Sequence, residues 1–134
     1  MTLYSEEGTI QGDLMAMAMF ALATVPLIHA VATSGSIQAW FADDAASGGR
    51  LASLRLWWDA LSTIGPQYGY YPNATKTYLL VKPNQLTDAQ RIFSGTGIQI
   101  TSEGRRYLGG PFGSAEFCAK FLCAKVSDWE EEIR

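Results

Sequence analysis

The longest apolar stretch of the chain covers residues 14–32 and carries no formal charge. Its 19 residues approach the length of a membrane span. The stretch is rich in alanine, contains Thr24, Pro26 and His29, and follows acidic residues rather than a basic segment. These features favour a buried core helix with Asp13 at its N-terminus and a kink or interruption at Pro26. The methionines of the stretch are expected to fill gaps in that core: Met15, Met17 and Met19.

After this stretch the spacing of the apolar residues changes, and it predicts a hairpin followed by a second helix. Residues 37–41 have strand character, and residues 43–44 would make the turn into a return strand over residues 45–47. From residue 49 to residue 64 the apolar spacing is helical, and Gly65-Pro66 ends the helix. The predicted buried face of this second helix consists of Leu51, Leu54, Trp58 and Leu61, with Trp57 at the core or its rim.

The C-terminal half of the chain predicts a strand, a helix, a hairpin and a last helix. Residues 77–81 form the strand, and Thr87 with Gln90 would make a capping box for the helix. Residues 98–101 and 106–109 are predicted to pair as the second hairpin, and Ser114 can cap the last helix. The order helix, hairpin, helix, strand, helix, hairpin, helix is an α+β pattern over a single domain of residues 1–134.

Composition and charge narrow the possible classes of protein. Hydrophobic residues make up 48% of the chain and charged residues 17%, which predicts a packed domain rather than a disordered segment. The formal net charge is −3. Proteins that bind nucleic acid by themselves usually carry a strong basic excess. Any contact with a duplex is therefore expected to be local or shared with other segments.

The two cysteines indicate whether the protein belongs to a reducing or an oxidising compartment. Cys118 and Cys123 lie five residues apart on the predicted last helix, so they point in different directions and cannot readily form a disulfide. Two unpaired, buried thiols suit a reducing environment, which predicts an intracellular location. No membrane partner is expected, and a membrane-inserted protein built on residues 14–32 is the remote alternative.

Asp43 and Asp44 are the most informative candidates for chemistry. Adjacent carboxylates repel each other, so a fold that holds them together usually supplies a cation. Carboxylate oxygens suit Mg²⁺, and a pair of such carboxylates is used in two-metal nucleotidyl transfer. The plainer interpretation is a solvated acidic turn, because aspartate is common in turns.

The motif around these aspartates is one of four that resemble motifs of reverse transcriptases, in the family's order. Residues 8–13 (GTIQGD) resemble the Gln-Gly loop of motif B, and residues 41–44 (FADD) are similar to the aromatic-x-Asp-Asp box of motif C. Residues 69–77 (GYYPNATKT) resemble motif D, and residues 106–109 (RYLG) resemble the primer grip, motif E. The resemblance covers nearly the whole chain, is closer to non-LTR retroelement enzymes than to retroviral ones, and implies a partial polymerase palm.

The resemblance also implies a role for each motif. Asp43 and Asp44 would be the metal ligands for Mg²⁺ or Mn²⁺. Gln11, Gly12 and Phe41 would line the pocket for the template and the incoming nucleotide. Lys76 would lie near the triphosphate and act as a catalytic group that stabilises negative charge or donates a proton. The primer grip would consist of Tyr107, Leu108 and Gly109.

The chain departs from the family pattern in two respects. Leu14 stands where motif B commonly has proline, and residues 1–7 leave no room for motif A, the strand that carries another metal-binding aspartate. Fingers and thumb are missing as well. The chain is therefore expected to be an inactive fragment of an enzyme that binds an RNA or DNA template-primer and dNTPs, and to self-associate through an exposed sheet edge. The alternative is a catalytically silent, palm-derived binding or interaction module.

Overall fold

The computed structural model describes residues 13–133, which divide between two compact units, Met1–Pro72 and Asn73–Arg134. The described part of the first unit contains helix α1 (Ala16–Ala30), strands β1 (Ser36–Phe41) and β2 (Asp44–Gly49), helix α2 (Leu51–Ile64) and a 3₁₀ turn (Gly65–Tyr68). The second contains strands β3 (Tyr78–Leu80), β4 (Gln99–Thr101), β5 (Gly104–Tyr107) and β6 (Gly110–Gly113), helices α3 (Leu86–Ile92) and α4 (Ala115–Ile133), and 3₁₀ turns Ala74–Lys76 and Pro83–Gln85. This mixture of helices and small sheets is α+β, as predicted.

Helix α1 is continuous through Pro26, so the predicted interruption is absent. Proline cannot donate to the carbonyl four residues earlier, which belongs to Leu22. Leu22 is 74% exposed, so water can reach that side of the helix and satisfy the carbonyl. At the N-terminus the Asp13 carboxylate accepts a hydrogen bond from the Met15 amide at 2.8 Å, although the capping position itself is Met15.

The prediction that residues 14–32 form a buried core helix is right only for the C-terminal part. Leu27 and Val31 are completely buried, whereas the three methionines are 54–60% exposed and do not fill gaps in a core. The reason is geometric: α1 is apolar on every side, and the first unit covers only one of those sides.

The core of the first unit is a cluster of four buried side chains from the end of α1 and from α2: Leu27, Val31, Trp57 and Leu61. Trp57, Trp58 and Leu61 are the buried residues of α2. The predicted face was therefore correct at its C-terminal end, while Leu51 and Leu54 are only half-buried.

Gln38 ties the β1–β2 hairpin to both helices. Its side-chain oxygen accepts hydrogen bonds from the indole N–H groups of Trp40 at 3.2 Å and Trp57 at 3.0 Å. Its amide nitrogen donates to the Ile28 carbonyl of α1 at 3.1 Å. Because the carbonyl and amide of one side chain serve three partners, the hairpin is fixed against the helices by directional contacts as well as by apolar packing.

The predicted pairing of residues 98–101 with residues 106–109 is wrong. Strand β4 pairs in parallel with β3, and α3 crosses between them. Strand β5 pairs antiparallel with β6 through a two-residue turn at Leu108 and Gly109, whose φ angles are 47° and 87°. Two consecutive positive φ angles are typical of a type I′ turn, which reverses the chain directly after Tyr107.

Two further predictions for the second unit can be assessed. The capping box at Thr87 and Gln90 is wrong, because α3 begins at Leu86 directly after the Pro83–Gln85 turn and its N-cap, Gln85, makes no side-chain cap bond. The cap at Ser114 is confirmed, since its hydroxyl accepts a hydrogen bond from the Phe117 amide at 3.1 Å. Cys118 is half-buried and Cys123 is exposed, so only the first approaches the expected burial, and both thiols are free.

None of the helices described for residues 13–133 combines the length and the apolar character that a bilayer crossing requires.

Candidate functional site

The Asp43–Asp44 pair lies at the tip of the β1–β2 hairpin. Phe41 ends β1 and Asp44 begins β2, and these two residues pair, so Ala42 and Asp43 form a two-residue turn. The hairpin packs beside the C-terminal part of α1 through Gln38 and the core cluster. The predicted hairpin is confirmed, but its predicted turn at residues 43–44 is one residue too late, because Asp44 already belongs to β2 and only Asp43 lies in the turn.

Both carboxylates of the pair are exposed to solvent. The ion pairs found within residues 13–133 use other aspartates, namely Asp59, Asp88 and Asp128. No group of three or more His, Cys, Asp or Glu side chains that could hold a metal ion is present in this part of the chain. The carboxylates of Asp43 and Asp44 are the type of ligand that a divalent cation prefers. Two carboxylates are too few for a two-metal centre.

The turn is supported by a tyrosine of the loop that follows α2 and the Gly65–Tyr68 turn. The Tyr70 hydroxyl donates a hydrogen bond to the Asp43 carbonyl at 2.9 Å, and its ring meets the Trp40 ring edge-on with 5.4 Å between centroids. Sequence reasoning placed Tyr70 within motif D and gave it no role. Nothing in the local pattern indicates this contact, because the two residues are 27 positions apart in the chain.

The outer face of the hairpin is apolar. Ile37 and Phe41 are 80% and 60% exposed, and they alternate along β1 with the inward-facing Gln38 and Trp40. Phe41, which the family resemblance places in the nucleotide pocket, therefore lies on this outer surface directly opposite Asp44. The other residues of the predicted pocket, Gln11 and Gly12, lie outside the described residues.

This exposed apolar surface predicts self-association of the purified chain. The outer hairpin face and the uncovered sides of α1 together form the kind of surface that soluble monomers rarely leave open, and the hairpin is a two-stranded sheet within the described residues. We expect oligomers in sedimentation experiments at micromolar concentration and binding of a dye for apolar surfaces. Replacing Ile37→Ser should reduce both signals without lowering the melting temperature. A strictly monomeric chain at high concentration would contradict the prediction.

Lys76 belongs to the second unit, where the Asn73 side chain organises the surrounding turn. The Asn73 side-chain oxygen accepts hydrogen bonds from the amides of Thr75 at 3.0 Å and Lys76 at 3.3 Å. Gln99 of β4 donates to the Thr75 carbonyl at 2.7 Å and ties the turn to the parallel sheet. The turn thus has a defined shape, and it presents the exposed Lys76 side chain to solvent.

The predicted primer-grip residues are at the β5–β6 hairpin. Tyr107 ends β5, and Leu108 with Gly109 makes the type I′ turn rather than continuing the strand. On β5 the Arg105 guanidinium stacks 3.8 Å from the centroid of the Tyr78 ring and also donates to its hydroxyl. This cation–π contact fixes the hairpin to β3.

Neither a protein-family model, nor a curated protein, nor a solved structure matches this chain.

Proposed function

We propose that the chain is part of the palm of a retroelement reverse transcriptase, with Asp43 and Asp44 as ligands for Mg²⁺ or Mn²⁺. The observation that carries this proposal is the presence of two adjacent, exposed carboxylates at a hairpin tip, one in the two-residue turn and one at the start of the strand that follows it. The hairpin that carries the two aspartates is attached to the packed first unit by Gln38 and the core cluster.

The proposed chemistry is nucleotidyl transfer from a dNTP to a primer paired with an RNA or DNA template. Bound divalent cations would activate the primer hydroxyl and stabilise the leaving pyrophosphate. In this scheme Asp43 and Asp44 hold the cations, and a further carboxylate comes from a segment other than residues 13–133. The apolar outer face of the hairpin and the uncovered sides of α1 would pack against the remainder of the palm.

A catalytically silent, palm-derived binding module is the second candidate. It is favoured by the lack of a third metal ligand among residues 13–133. The two candidates differ in what they predict for metal binding, because a silent module has no need of a cation at the hairpin turn.

Titration of the 134-residue chain with Mn²⁺ tests the proposed function. We expect weak binding that broadens the NMR signals of the hairpin turn, because two carboxylates without a third bind a cation loosely. Asp43→Asn should remove the broadening, since it deletes a charged ligand and keeps the side-chain shape. The matched control is Asp88→Asn, which removes an exposed carboxylate of α3 and should leave the broadening in place. Broadening that persists unchanged in Asp43→Asn, or none in the parent chain, would favour the silent module.

A further inference from the structure

The turn that presents the two aspartates is conformationally strained. Ala42 has a φ angle of 52°, in the left-handed region that glycine, asparagine or aspartate usually occupy. Hairpin turns of two residues commonly place glycine at such a position. An alanine persists there only when surrounding contacts hold the backbone in place. The contacts around this turn therefore determine where the carboxylates point.

Tyr70 supplies such a contact from outside the hairpin. Its hydroxyl donates to the carbonyl of Asp43, the second residue of the turn, at 2.9 Å. Its ring packs at 64° to the Trp40 ring and against the core cluster of the first unit. The hydrogen bond restrains the backbone of Asp43, the first candidate ligand. The ring contact restrains Trp40 in β1, the strand that leads into the turn.

The position of Tyr70 is itself fixed by the loop that follows α2. The Tyr70 amide donates to the Gly65 carbonyl at 3.0 Å, and the Gly69 amide donates to the Pro66 carbonyl at 3.2 Å. A Cβ atom at Gly65 would lie 2.6 Å from the Tyr70 carbonyl oxygen, so only glycine allows the two backbone segments to approach so closely. Gly69 has a φ angle of 73° and reverses the chain toward the hairpin. These backbone contacts of the loop after α2 fix the position of Tyr70.

We propose that Tyr70 is a positioning residue for the metal site: by fixing the Asp43 carbonyl it holds the strained turn, and with it the directions of both carboxylates. Mg²⁺ demands near-ideal octahedral geometry, so a turn that samples several conformations offers a poorer pair of ligands. The effect on metal binding rests on the proposed function. The effect on the turn itself does not.

The variant that tests this role is Tyr70→Phe, which keeps the ring and its contact with Trp40 and removes only the hydroxyl. Its matched control is Tyr71→Phe, since the neighbouring tyrosine is 75% exposed and loses the same atom. The first measurement is the ¹⁵N order parameter of the Asp43 and Asp44 amides in the full 134-residue chain. We expect lower order parameters at these two residues in Tyr70→Phe, with the amides of α2 and the melting temperature nearly unchanged. Tyr71→Phe should match the parent chain.

The second measurement is the Mn²⁺ affinity of the same proteins. Loss of one hydrogen bond is expected to weaken binding about fivefold in Tyr70→Phe. Unchanged order parameters in Tyr70→Phe, or an equal change in Tyr71→Phe, would overturn the positioning role whatever the affinity. If the order parameters fall but the parent chain binds no Mn²⁺, the positioning of the turn stands and the proposed metal function fails. If Asp43→Asn abolishes binding while Tyr70→Phe alters neither quantity, the metal function stands and the positioning role fails.

Discussion

Under the proposed function, replacing Asp43→Asn is expected to abolish Mg²⁺-dependent primer extension in a longer protein that adds a further metal-binding carboxylate to this chain. A ligand lost from a two-metal centre removes several kcal/mol of stabilisation from the transition state, which corresponds to a loss of rate on the order of 10³-fold or more. Asparagine keeps the shape of the side chain, so the hairpin should remain folded. The measurement is extension of a labelled primer on RNA and DNA templates, with circular dichroism as the check on folding.

The 134-residue chain by itself provides the internal control for this expectation. Within residues 13–133 the carboxylates available to a metal near the turn are too few for a two-metal centre, so no primer extension is expected from the chain alone. Mg²⁺-dependent synthesis by the chain, lost in its Asp43→Asn form, would show that the account of the missing ligand is wrong. Full activity of the longer protein carrying Asp43→Asn would show that Asp43 is not a required metal ligand.

The second large effect concerns stability. Leu27 of α1 is completely buried in the core cluster of the first unit, so Leu27→Ala should lower the free energy of unfolding by about 2–5 kcal/mol. The matched control is Leu22→Ala in the same helix, where the side chain is 74% exposed and the change should stay within about 0.5 kcal/mol. Both substitutions alter helix propensity equally, so their difference isolates burial. Urea unfolding followed by far-UV circular dichroism measures it.

The comparison also reports on whether α1 is covered in solution. If Leu22→Ala proves as destabilising as Leu27→Ala, the exposed side of α1 must be packed against something, and the midpoint of unfolding should then rise with protein concentration. Equal and small effects of the two variants would instead contradict the described core.

The hairpin and α2 were predictable because their signals are local. The short apolar and aromatic run of residues 37–41, followed by two aspartates, indicates a strand and its turn, and Gly65-Pro66 marks the end of a helix. The exposure of α1 could not be predicted, because a helix that is apolar on every side carries no information about which side packs. Its composition indicates burial, and burial depends on neighbours that the pattern does not name.

The errors in the second unit arise from non-local pairing. Strands β3 and β4 are each three residues long, too short for alternation to show, and their parallel pairing depends on the α3 crossover. The β5–β6 turn contains Leu108 at a positive φ angle, where the usual signal would be asparagine or aspartate before glycine. Within the candidate site the aspartates were found from the sequence, and Tyr70 was missed because its partner is distant along the chain.

The division of the chain into two units has an optical consequence, because its four tryptophans are unevenly shared. Trp40, Trp57 and Trp58 belong to the first unit, and the last two are buried, whereas Trp129 of the second unit is 58% exposed. Emission from a buried indole lies at shorter wavelength than emission from a hydrated one, and a dissolved quencher such as iodide reaches Trp129 far more readily. The intrinsic fluorescence of the unlabelled chain therefore contains two separable signals, one for each unit.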